Sequence, residues 1–121
     1  MELPILTISN ILNETRPEIV WYVNNVPKEK VGLPNLPLGR IVELNGTYEG
    51  FASNDPTVLF THLQVDVWVK DMKELSKYYY KIDEVLRDEA IQCTYTEQTH
   101  DIDFENTRRI IKRYTISQRV R

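Results

Sequence analysis

Cysteine is almost missing from this sequence, with Cys93 standing alone among 121 residues. A single thiol excludes an internal disulfide and fits a reducing compartment. Cys93 falls in a strand-like run, which predicts a small buried hydrophobe in preference to a reactive thiol. Glycine is scarce too, with four residues, which argues against a disordered chain. There is no phosphate-cradling glycine loop, no nucleophile elbow around a serine and no paired-cysteine metal site. No apolar run approaches the roughly 20 residues of a membrane span. The opening Met1-Glu-Leu-Pro lacks a basic region, a long apolar core and a small-residue cleavage site, which argues against export by a signal peptide.

What is present is an ordinary globular balance, 41% hydrophobic and 27% charged, in a length that suits one domain with one core. The net charge of −3 hides an asymmetry. Residues 108–121 hold Arg108, Arg109, Lys112, Arg113, Arg119 and Arg121 with no acid, a charge of +6. The remainder carries nine basic and eighteen acidic groups, a charge of −9. Such a surface repels nucleic acid at long range, while the basic end can meet an acidic partner.

Leu3, Ile5, Leu6, Ile8, Ile11 and Leu12 recur near the helical period and predict a helix over about 3–15. Pro4 is tolerated in its first turn and Pro17 ends it. Glu18–Val23 reads as a short strand. Residues 27–39 hold three prolines and two glycines together with Val31, Leu33, Leu36 and Leu38. A long connection this apolar is unusual. It either folds over its own core or acts as an arm against a neighbouring subunit. Arg40–Leu44 and Thr47–Phe51 read as two strands joined by a tight hairpin at Asn45-Gly46, both of which accept positive φ.

Leu59-Phe-Thr-His-Leu-Gln-Val-Asp-Val-Trp-Val69 is a long alternating strand. Leu59, Leu63, Val65, Val67 and Val69 share one face, and Phe60, His62, Gln64, Asp66 and Trp68 the other. The first face is core; the second is partly solvated or in contact with a partner. Asp71 caps the next helix, with Glu74 at the reciprocal position. Its apolar stripe runs through Met72, Leu75, Tyr79, Ile82 and Leu86, opposite Lys70, Lys73, Lys77 and Lys81. Ile91–Thr96 is a strand, Glu97–Asn106 an acidic loop, and Arg108–Gln118 a closing strand. The fold class is therefore α+β: a largely antiparallel, or mixed, sheet of about five to six strands with two helices packed on it, in one domain over 1–121.

Chemistry has few candidates. His100, Asp101, Asp103 and Glu105 could ligate a cation and support a small metal-dependent enzyme or nuclease. They lack both the ligand ladder of a calcium loop and zinc-like spacing. His62 and Asp66 share a strand face but lie roughly 13 Å apart at ~3.3 Å per residue, too far to act as a direct pair. The basic closing strand has no aromatic platform, so it is a weak nucleic-acid site. A regulatory or adaptor domain of similar topology is a third reading.

The run Leu63-Gln-Val-Asp-Val-Trp-Val-Lys-Asp71, followed by the Met72-Lys-Glu-Leu-Ser-Lys helix and two closing strands, resembles the tail terminator, or tail completion, proteins of long-tailed bacteriophages. It is most similar to the small tail-component family of Lactococcus and related Gram-positive phages. The N-terminal helix, Pro-rich connection, basic closing strand and length fit as well, so the resemblance covers nearly the whole chain. It implies a ring, generally of six subunits, that caps the tail tube at the head-proximal end of the virion. The ring ends tube growth and offers a surface to the head connector, after assembly in the host cytoplasm. It implies no catalysis, cofactor, metal, membrane or sequence-specific nucleic-acid partner. A ring needs one patch to meet a different patch on the next copy. The expected contacts are Val31, Leu33, Leu36 and Leu38 on one side and Phe60, His62 and Trp68 on the other. Arg109 and Arg113 are the expected charged contacts, with more influence on encounter and register than on affinity.

Overall fold

The computed structural model describes residues 2–27, 35–50, 55–100 and 107–120. Helix α1 spans Pro4–Thr15. It starts on a proline, whose missing N–H would have no helical partner there, and closes with Arg16 N–H donating to Leu12 O at 2.8 Å. Four strands and two further helices follow the short strand β1, Val20–Val23: β2 Leu38–Glu49, β3 Val58–Val69, α2 Met72–Tyr79, α3 Lys81–Arg87, β4 Gln92–His100 and β5 Arg108–Arg119. They form one five-stranded sheet in the order β1-β2-β3-β5-β4. β1 runs parallel to β2 and every other pairing is antiparallel, so the expected α+β class holds with a mixed sheet.

β3 is the central strand, paired with β2 on one side and β5 on the other. Register aligns Ile41 with Val65, Val67 with Ile110, and Leu63 with Tyr114. These side chains join Ile5, Ile8 and Leu12 of α1, Leu75 and Tyr78 of α2, and Ile82 and Leu86 of α3 in one core. Helices therefore cover one face of the sheet. Burying such side chains contributes about 1.5–3 kcal/mol each. Gly39 is required by this packing, because a Cβ there would overlap the six-membered ring of Trp21.

Two expectations need correction. Asn45-Gly46 makes no hairpin: Asn45 pairs with His62 and Gly46 with Thr61, inside an unbroken β2. The register slips between Glu43 and Asn45, so a bulge at Leu44 absorbs the irregularity that the dipeptide signals. The helix predicted after Asp71 is divided at Tyr80 into α2 and α3, although Tyr80 keeps helical dihedrals and its carbonyl accepts from Glu84 N–H at 3.0 Å. The Asp71 cap forms as expected, with Oδ1 accepting from Glu74 N–H at 2.9 Å. Among the described residues no helix is long and apolar enough to cross a membrane.

Candidate functional site

The sheet face turned away from the helices is built in three rows across β2, β3 and β5: Leu38–Trp68–Arg109, Arg40–Asp66–Ile111 and Val42–Gln64–Arg113. Period-two alternation delivers these residues to one side, and pairing register brings together groups far apart in sequence. Asp66 is fully buried at the centre. Arg40 gives Nε and Nη2 to its Oδ2 at 3.1 and 2.7 Å. Arg109 gives Nε and Nη2 to its Oδ1 at 3.2 and 2.9 Å. Gln64 Nε2 donates to the same carboxylate at 3.1 Å, and Gln64 Oε1 accepts from Arg113 Nε at 3.1 Å. Both Arg40 and Arg109 also lie over the Trp68 ring, with Cζ 5.5 and 5.2 Å from its centroid.

A buried carboxylate survives when opposite charge and hydrogen bonds satisfy it, and this one has both. The guanidiniums are held by two bonds and one ring each, so their orientation is set before any partner arrives. Their side chains remain 29% and 23% exposed. Among the described residues, three arginines face one aspartate here, and positive charge held in this way can attract an anionic or carboxylate-bearing group.

Further along the same face, His62 Nδ1 lies 2.9 Å from Thr115 Oγ1. Phe60 borders a groove of about 360 Å³ with Gln92, Thr94, Thr115 and Ser117. On the helix side, Lys112 is buried, and its Nζ donates to Asp83 Oδ2 and Thr96 Oγ1, both at 2.9 Å. It lies 4.0 Å from the Tyr79 ring centroid. Tyr114 donates its hydroxyl proton to Asp83 Oδ1 at 2.5 Å. Burial, then this hydrogen bond to a carboxylate, push the Tyr114 hydroxyl far above its ordinary value of 10.0. This cluster ties α3 to β4 and β5.

The expected contact residues separate on this geometry. Trp68 is 3% exposed and Leu38 is fully buried within the single chain. Trp68 and His62 both have partners inside the chain: arginines lie over Trp68, and Thr115 lies within hydrogen-bond distance of His62. Leu36 is half-buried and lines a groove with Glu18, Val20, Tyr22, Asn35, Pro37 and Leu38. Phe60 is half-buried, while Arg109 and Arg113 lie on the helix-free face. Val31 and Leu33 lie outside the described residues, as do Asp101, Asp103 and Glu105. His100 is exposed at the end of β4, which takes in Glu97–His100 where a loop was expected. Among the described residues no group of three His, Cys, Asp or Glu is placed to hold a metal ion. Cys93 packs against the core, and burial followed by the nearby Asp83 charge raises its thiol pKa. It suits the predicted packing role.

Sequence reasoning missed Arg40 and the centrality of Asp66. The signal was present in a lone acid on an alternating strand, but its partners depend on register. No protein-family model and no curated protein matches the chain.

Proposed function

We propose that this protein is a structural component of a long-tailed bacteriophage, a tail terminator. It caps the tail tube as a ring of its own copies, ends tube growth and offers a joining surface to the head connector. The observation that carries the reading is the one-sided sheet. Helices cover one face, and the other holds guanidiniums fixed on a buried carboxylate and an indole, with their outer edges exposed. Such pre-ordered charge suits repeated docking against protein, because little side-chain entropy is lost when the partner arrives. The strand–helix run from Leu63 through Lys77, which resembles the terminator proteins, supports the same reading from sequence. The arginine patch would meet an acidic surface of the tube protein, the connector or a neighbouring copy, and set register there. Arg109, Arg113 and Phe60 keep their expected contact roles in this reading, and Arg40 joins them. Withholding the protein during infection and measuring tail length and head attachment tests it.

A further inference from the structure

Lys112 lies in the middle of β5 on the helix-covered face, opposite Val65 of β3 and Thr96 of β4. Its side chain is 1% exposed, and that of Asp83 on α3 is 14% exposed. Lys112 Nζ is 2.9 Å from Asp83 Oδ2, one bond short of the carboxyl carbon. Thr96 Oγ1 accepts from the same nitrogen at 2.9 Å, and the Tyr79 ring centroid lies 4.0 Å from it. These contacts hold the nitrogen against the carboxylate. The other carboxylate oxygen, Oδ1, accepts the hydroxyl of the fully buried Tyr114 at 2.5 Å.

A buried ion pair needs only opposite charge and satisfied hydrogen bonds. This pair also has the parts of an acyl-transfer site: an amine fixed on a carboxyl, and a donor on the oxygen where negative charge would gather. Holding two reactants in contact is worth an effective concentration of roughly 10⁵–10⁸ M, which drives amide formation that dilute solution opposes. We infer that Lys112 and Asp83 join in an intramolecular isopeptide bond, a covalent link between β5 and α3. The ammonium passes one proton to Oδ2 along their hydrogen bond, and burial favours the exchange because neither neutral partner needs water. Nζ then attacks Cγ, while Tyr114 supports the charge that builds on Oδ1. A second proton moves from Nζ to Oδ2, the Cγ–Oδ2 bond breaks and Oδ2 leaves as water. The third proton stays as the amide N–H. One positive and one negative charge disappear together, and no other reactant is consumed. The freshly folded chain holds the ion pair, and the amide accumulates afterwards. The link goes beyond the tail reading and stands or falls separately from it.

The test is the intact mass of the full chain, purified and then incubated at neutral pH. A species lighter by one water should appear and grow with time. Tryptic mapping should place the loss in a branched peptide that joins the segments carrying Asp83 and Lys112, with cleavage after Lys112 blocked. Lys112→Arg keeps the charge but removes the amine, so it should hold its full sequence mass. Tyr114→Phe, with circular dichroism unchanged, should slow the loss roughly 10²-fold, as removal of one oxyanion donor does. Full sequence mass of the parent chain after incubation overturns the inference. So does a water loss that maps within a linear peptide, as a cyclised aspartate would give, or one that persists in Lys112→Arg. Normal virions without the protein would instead defeat the tail reading and leave the cross-link standing.

Discussion

Arg40 and Arg109 divide one carboxylate between them. Arg40 holds Oδ2 of Asp66 through Nε and Nη2, and Arg109 holds Oδ1 the same way. They come from β2 and β5, on either side of β3, so this single buried acid fastens three strands together. Both then lie over Trp68, which shields the ion pairs from water.

Replacing Asp66 by Asn should therefore be expensive. Two part-exposed guanidiniums would lose a fully buried counter-charge, and removal of one partner from a buried ion pair costs about 3–5 kcal/mol, an upper bound here because both arginines reach solvent. Urea denaturation of Asp66→Asn should show a loss of that order, with Trp68 more exposed in its fluorescence. A loss within ~0.5 kcal/mol, the range of ordinary surface substitutions, would mean that the triad does not hold the strands.

Tyr114 gives the chain a specific alkaline weakness. Its folded pKa lies above the unfolded value of 10.0, so at higher pH the folded state keeps a proton that the unfolded chain releases. That contribution is whole below about pH 10 and declines as pH rises above it. The slope reaches about 1.4 kcal/mol per pH unit. Tyr114→Phe should lose about 1.5–3 kcal/mol at neutral pH, the worth of a hydrogen bond to a charged group. Its deficit against the parent should then shrink above pH 10. Parallel stability curves for the two proteins across that range would contradict the assignment.

Gly39→Ala should destabilise through overpacking. The added methyl meets the Trp21 ring, which is itself held by a hydrogen bond from Nε1 to Arg16 O at 3.1 Å. Overpacking of this kind costs about 1–3 kcal/mol. Thermal unfolding and near-ultraviolet circular dichroism should both report the displaced indole. An unchanged melting temperature would show that Trp21 moves freely.

The parts of this fold that were legible in the sequence are those whose signal is local. Alternation from Leu63 to Val69 gave both the central strand and its core face, and Asp71 with Glu74 gave the start of α2. Asn45-Gly46 misled because two-residue turn propensity is weaker than pairing with His62 and Thr61 across a long strand. Trp68 and His62 looked unpartnered for a related reason. Their neighbours Arg40, Arg109 and Thr115 lie in other strands, and only register brings them into reach.

The proposed tail-capping role is tested most directly by electron microscopy of cells infected by a long-tailed phage that has been deprived of this protein. Tails longer than normal and heads left unjoined are the predicted outcome, with normal particles restored when the protein is supplied. Complete virions with tails of normal length and attached heads would contradict it.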